Sequence, residues 1–340
     1  VSARRADPGN GGTVSTRPVE GSAIWDVLSP HSPHAAAADG KTLVWVEAGE
    51  LCGHDTAESA NLARIRPGLL AAFCHPKATE DDLTLITKWM AWLFLLDDRI
   101  DESDLGRDAD LLDGHLQDLQ GVALGIRTAS GPMSRALEEI ITQASAGMGD
   151  AWQLRFRRNI SDYLLACVWQ AAHRQAGEFP DPEVFPHWRR AFGAIMPSFD
   201  LIERTDGGAL PSCVYYSRPY QSLLTAAADL VCWTNDLMTV DKEAAHGDLH
   251  NLVLVTEHDR HQDRRTASAA VSAACEQRMR AHTSARRDLT GLTAALGLPD
   301  TVRTHADDCA ASLLVWVRGH LEWGLETPRY RPGTTGTGTD

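Results

Sequence analysis

Positive charge is in short supply in this chain. Lys and Arg number 32 against 46 Asp and Glu, for a formal net charge of -14. Nucleic acid, duplex or single-stranded, would be repelled on average, and no Lys/Arg run offsets that repulsion, so no nucleic-acid partner is expected. Long apolar runs are missing as well. No stretch of about 18 uncharged apolar residues occurs, which argues against a membrane span. The first residues lack a basic start followed by an apolar core, so no secretory signal is expected and the expected location is the cytoplasm. The seven cysteines are scattered without a CxxC pair. That pattern fits reduced thiols filling a core, not a disulfide framework or a zinc site. The fourteen histidines include no HExxH spacing. Gly-rich phosphate loops are absent, since Gly-Asn-Gly-Gly at 9–12 is not GxGxxG, and there is no serine nucleophile elbow.

What is present is helix and tryptophan. The chain has 340 residues, 43% of them apolar, enough to bury a large core. Ten tryptophans are available to pack that core or to offer a π-face to a cation. Residues 1–38 and 331–340 are low in complexity and are expected to be disordered. Between them no alternating strands, internal repeat or composition break stands out, so one all-α domain over residues 39–330 is expected. The run Leu83–Ile100 is apolar nearly all round, as a helix in the middle of a bundle would be. Residues 149–175, 218–243, 264–293 and 298–322 read as further long helices. Pro180, Pro182, Pro186, Pro211 and Pro219 punctuate the links.

The apolar run ends in Asp97-Asp98-Arg99-Ile100-Asp101-Glu102. Asp97 and Asp101 share one helix face, and Asp98 and Glu102 form a second pair four apart. Carboxylates crowded at the end of an apolar helix repel one another, and the helix dipole disfavours negative charge there. Hard oxygen donors at this spacing suit magnesium. An acidic helix end simply bathed in water is the bland reading of the same residues. The apolar run directly before them counts against it, because it sets the cluster where a buried helix meets a cavity mouth.

A second polar stripe lies in Trp233-Thr234-Asn235-Asp236-Leu237-Met238-Thr239-Val240-Asp241-Lys242-Glu243. Asn235, Thr239 and Glu243 recur every fourth residue, so one helix face offers an amide, a hydroxyl and a carboxylate oxygen. Such a trio can hold one magnesium ion, and Lys242 beside it could reach a diphosphate oxygen. A solvated polar face is again the bland reading, and two oxygen-rich stripes on separate long helices make it less attractive.

Taken together, the two motifs resemble those of bacterial class I terpene synthases. The resemblance extends to Arg189 in His187-Trp188-Arg189-Arg190, to Gly193, to His250-Asn251-Leu252-Val253 and to the pair Arg329-Tyr330, and it spans roughly residues 30–330. It implies an all-α bundle of the class I terpenoid synthase type with a central cavity open at one end. It also implies a small-molecule isoprenyl diphosphate as substrate, three magnesium ions, and often a homodimer. Asp97, Asp98 and Asp101 would hold metal on one side, and Asn235, Thr239 and Glu243 on the other. Arg189, Lys242, Arg329 and Tyr330 would bind the diphosphate, with Arg189 sensing it and Gly193 presenting its carbonyl to the forming cation. Two positions depart from the family pattern. Thr239 stands where Ser is commoner, and Phe192 stands where a small polar residue or Asp is frequent. Phe94, one turn before Asp97, and Trp316, on the last long helix, are candidate cavity aromatics. Trp89, Trp92, Trp188 and Trp323 are expected to be structural.

Farnesyl diphosphate is the expected substrate, with geranyl and geranylgeranyl diphosphate as alternatives. A chain-elongating prenyltransferase would need a second Asp-rich motif, which the Asn/Thr/Glu stripe does not supply. A non-catalytic helical binding protein would be expected to have lost ligand positions, and none is replaced by an apolar residue.

Overall fold

A computed structural model describes residues 18–101 and 104–330. The expected tail at 331–340, the first part of the expected N-terminal extension and Glu102 lie outside the described residues.

The described chain forms α1 (Ala35–Ala48), α2 (Ala57–Ile65), α3 (Pro67–Cys74), α4 (Glu80–Asp101), α5 (Ala109–Ala123), α6 (Pro132–Ser145) and α7 (Asp150–Ala176). It continues through α8 (Phe185–Phe192), α9 (Ile195–Thr205), α10 (Ser212–Tyr215), α11 (Arg218–His246), α12 (Leu252–Asp259), α13 (Arg264–Ala295) and α14 (Asp300–Glu326). Among the described residues there is no strand. The four long helical stretches read from the sequence correspond to α7, α11, α13 and α14. Pro186 and Pro219 do not break helices but sit in the first turns of α8 and α11, where a missing N–H leaves no bond unmade.

Residues 18–38 are not the disordered segment that composition leads one to expect: they pack in part on the helices. Ser22 caps a 3-10 turn at Ala23–Asp26. Ile24 within that turn is fully buried, and α1 already begins at Ala35. The low-complexity composition hid a few scattered anchors: Val19, Ile24 and Ser32 are buried, and together they order the segment on the core.

α4 runs through the interior. Leu83, Ile86, Trp89, Trp92 and Leu95 on it are buried. Its tryptophans stay dry because each indole N–H finds an acceptor: Trp89 donates to Ser198 Oγ and Trp92 to the Met133 carbonyl, both at 3.0 Å. α14 presses against the end of α3 at Gly319, where a Cβ would lie 2.5 Å from the Phe73 carbonyl oxygen, so only glycine allows that approach.

Buried ion clusters set the remaining helices. Arg155 on α7 reaches Asp200 at 2.7 Å and Glu203 at 2.5 Å, both on α9. Its guanidinium lies 3.5 Å from the centre of the Tyr215 ring. Asp229 on α11 is completely buried between Arg190 of α8 at 2.5 Å and Arg278 of α13 at 2.7 Å. Breaking either cluster would leave a charge stranded in a low-dielectric interior. Together they hold α8 and α9 in place on either side of the break that faces the cavity.

Candidate active site

The helices enclose a cavity of about 470 Å³. Every candidate metal, diphosphate and cavity residue named above lines it. The apolar part of its wall includes Leu70, Met90, Leu93, Phe94, Ile195 and Trp316.

At the end of α4, the first acidic cluster is matched by two arginines. Arg329 donates from Nη1 to Asp98 Oδ1 at 2.6 Å and from Nη2 to Asp97 Oδ2 at 2.5 Å. Arg174 of α7 joins Asp101, at 2.8 Å, to Asp248 in the loop after α11, at 2.6 Å. Even so, the surrounding protein and the charge on Asp97 push the Asp101 carboxyl, whose side chain is still 45% exposed, up to about 7. Burial also acts to raise Asp248, but His250 and Arg174 hold it well below the usual carboxylate range.

The stripe on α11 faces the same space. Asn235 Oδ1 accepts from Arg189 Nη2 at 2.9 Å, and its Nδ2 donates to the Tyr330 hydroxyl at 2.7 Å. Thr239 Oγ1 donates to the Asn235 carbonyl at 2.9 Å. Glu243 Oε2 accepts from Asn251 Nδ2 at 2.8 Å. Burial, with the nearby charges of Asp236 and Asp248, pushes the Glu243 carboxyl up to about 7. Lys242 Nζ donates to the Arg329 carbonyl at 3.3 Å. The run from His250 to Val253 acts as a clamp on this helix. Asn251 Nδ2 donates to the Asp236 carbonyl, and the Leu252 amide donates to Asp236 Oδ2.

Arg189 and Arg190 are adjacent in sequence but point to different places. Arg190 is spent on Asp229. Arg189 lies on the cavity, donates from Nε to Asp236 at 2.9 Å, and stacks 5.0 Å from the centre of the Phe192 ring. α8 ends within a turn of it, at Phe192. Gly193 caps the helix, and a Cβ there would meet Arg189 Nη1 at 3.0 Å. Ala194 takes a left-handed φ of 52° before α9 begins. The arginine therefore rests directly on a helix break lined up on the cavity.

The aromatic wall is a stack. Phe94 lies 5.6 Å from Trp323 with the rings 14° apart, and the Arg329 guanidinium covers Phe94 at 5.0 Å. Trp316 meets Phe199 edge to face and stacks on His320. Trp323, expected to be structural, does both jobs: its indole N–H is tied to the Ile65 carbonyl, and it lines the cavity. Arg174, Asp248 and His320 went unnoticed in the sequence. Nothing in their local spacing marks the first two. His320 had a signal, because Trp316, His320 and Trp323 follow one another at the intervals that share a helix face.

Among the described residues, no three His, Cys, Asp or Glu side chains are already gathered around one metal position. The donor set nevertheless fits hard divalent ions. Its atoms are carboxylate, amide and hydroxyl oxygens, and the desolvation and the crowded charge that raise Asp101 and Glu243 are offset by a bound cation.

Residues 88–281, from the middle of α4 into α13, match terpene synthase family 2, described as a C-terminal metal-binding domain. The chain belongs to this terpene synthase family. The enzyme is 31% identical over 310 residues to pristinol synthase of Streptomyces pristinaespiralis, covering 88% of this chain and 82% of the relative. It is 30% identical over 315 residues to a (+)-T-muurolol synthase of Roseiflexus castenholzii, whose name adds that it cyclises (2E,6E)-farnesyl diphosphate, covering 88% and 90%. In fold the synthase resembles germacradien-4-ol synthase from Streptomyces citricolor, with a TM-score of 0.81 and 26% identity over 91% of this chain and 100% of that one. Among the described residues no helix of the synthase is long and apolar enough to cross a membrane.

Proposed function

We propose that this synthase ionises farnesyl diphosphate and cyclises the resulting allyl cation to a sesquiterpene, releasing diphosphate. One observation carries the reading. Arg329 touches the acidic end of α4 while the next residue, Tyr330, touches Asn235 of α11. The two oxygen-bearing stripes thus meet at one end of an apolar cavity.

In this reading Asp97, Asp98 and Asp101 hold metal on the α4 side, and Asn235, Thr239 and Glu243 hold it on the α11 side. Magnesium, three ions by the family resemblance, would supply the positive charge that stabilises the departing diphosphate. Arg329 and Arg174 would give up their carboxylates as the site loads. Arg329 would turn to the diphosphate, joined by Arg189, Lys242 and the Tyr330 hydroxyl, in charge-assisted hydrogen bonds. Arg189 is fixed by Asp236 from behind, so its guanidinium is pre-aimed and little reorganisation is needed as charge develops. The carbonyl of Gly193, at the helix break that Arg189 rests on, would face the cation. Phe94 and Trp316 would stabilise passing positive charge by about 0.5–2 kcal/mol each through their π-faces. The apolar wall keeps water from the cation until the cascade ends.

The test is incubation of the purified protein with farnesyl, geranyl and geranylgeranyl diphosphate, each with and without magnesium. Diphosphate release and volatile products are measured. The expected outcome is magnesium-dependent release from farnesyl diphosphate with a fifteen-carbon cyclic product. Efficient turnover of one of the other two alone would move the assignment to mono- or diterpene synthesis. No release from any of the three would sink the reading.

A further inference from the structure

His320 on α14 is buried, lines the cavity and has no place in the chemistry above. Three contacts define it. Its Nε2 lies 3.3 Å from the Tyr330 hydroxyl. Its ring stacks on Trp316 at 6.0 Å, with the planes 10° apart. Trp323 flanks it at 6.2 Å. Its Nδ1 is buried without a hydrogen-bond partner among the described residues. Burying an imidazole with one nitrogen unpaired is unfavourable, so the other contacts have to justify it.

We propose that His320 is a positioning residue for diphosphate binding, holding the Tyr330 hydroxyl through Nε2 while its ring extends the Trp316 wall. The inference rests on the diphosphate role proposed for Tyr330. The Tyr330 oxygen already accepts from Asn235 Nδ2. Its own proton then has a neutral imidazole Nε2 to point at. When the Tyr330 O–H instead donates to a diphosphate oxygen, without losing its proton, binding favours molecules whose imidazole carries its single proton on Nε2, and these donate from Nε2 to the tyrosine oxygen. Burial holds the His320 imidazole down to about 4, so the ring is neutral at physiological pH and can serve in either sense. An ammonium or an ionised carboxylate at this position could serve in only one. Because the same ring is stacked on Trp316, the position of the anion-binding hydroxyl is tied to the hydrocarbon wall.

The two functions separate by substitution. His320→Phe keeps a stacking ring and removes the bond to Tyr330. His320→Gln keeps a polar atom of either sense near the Nε2 position and removes the aromatic face. Binding of inorganic diphosphate in the presence of magnesium, measured by calorimetry, tests the first function without any catalysis. His320→Phe is expected to weaken it about tenfold, as is Tyr330→Phe, with the double variant no worse than the weaker single. His320→Gln is expected to stay within about threefold of wild type in binding but to shift the product ratio from farnesyl diphosphate, at unchanged circular dichroism. Wild-type binding by His320→Phe, or losses that multiply in the double variant, would overturn the proposal. Should wild type bind magnesium diphosphate yet leave farnesyl diphosphate untouched, the substrate assignment fails while the binding comparison still decides the role of His320. If His320→Phe does not fold, His320→Gln and Tyr330→Phe carry the test: a tenfold loss of binding in His320→Gln, despite its retained polar group, would contradict it.

Discussion

The Asn235 side chain donates to the Tyr330 hydroxyl at 2.7 Å, across 95 positions of sequence. The same amide accepts from Arg189, 46 positions earlier. One side chain in the middle of α11 therefore connects the helix break at Gly193 with the 3-10 turn at Pro328–Tyr330. Any loading of this amide by a metal ion must be felt by both neighbours, which links metal binding to the placement of two of the proposed diphosphate donors.

Asp97→Ala is expected to abolish magnesium-dependent turnover and leave the helical content unchanged. The substitution removes one carboxylate from a crowded cluster that Arg329 only partly neutralises. Circular dichroism and diphosphate release check it together. Near-normal release from a folded variant would discredit the α4 end as a metal site.

The two adjacent arginines should behave differently. Arg189→Ala, which removes a donor aimed at the cavity, is expected to lower the rate by about 10²–10³-fold. Arg190→Ala instead strips one of two partners from buried Asp229, so its effect should fall on stability, by about 1–3 kcal/mol. Kinetics and thermal melts of the pair would show the reverse pattern if the sensor were Arg190.

Glu243 gives a pH signature. Its folded-state carboxyl is raised from the ordinary value to about 7, so the folded protein holds a proton there that the unfolded chain releases near 4.5. Stability contributed by the neutral form is therefore present at low pH and is lost as pH rises from about 4.5 through 7. Glu243→Gln should be close to neutral at pH 5 and stabilising at pH 8 in the absence of metal, read as the difference in melting temperature from wild type. A difference that does not change with pH would count against the raised carboxyl.

Arg155 has a structural task away from the chemistry. Arg155→Met leaves Asp200 and Glu203 buried with no cation between them and is expected to cost about 3–5 kcal/mol. Urea denaturation measures this. Because α9 follows the Gly193 break directly, residual turnover of the variant should fall as well.

The wall aromatics should alter products more than ionisation. Phe94→Leu and Trp316→Leu are expected to change the product ratio from farnesyl diphosphate while diphosphate release stays within about tenfold of wild type. Gas chromatography of the volatiles, set against released diphosphate, separates the two effects. An unchanged product profile in both variants would remove them from the cavity chemistry.

Much of this molecule is legible in its amino-acid order. The apolar run into Asp97, the fourfold spacing of Asn235, Thr239 and Glu243, and the long amphipathic stretches are local patterns. Helix periodicity converts such patterns directly into faces. Chain length of the substrate and the number of metal ions are written in no such local spacing. The turn around Ile24 is not legible in composition, which averages over a segment, whereas its order depends on a few scattered buried side chains. Arg174 and Asp248 were missed because neither has a helical partner at a telling interval; they matter only through each other and Asp101.

By itself the sequence determined the helices, their apolar faces and the oxygen-bearing stripes, because these depend on neighbours within a few residues. The tertiary structure alone decided which arginine faces the cavity, which carboxylates share a cation, and that His320 joins Tyr330 to the tryptophan wall. Those relations depend on distances between side chains far apart in the chain, and packing sets such distances where local spacing carries no record of them.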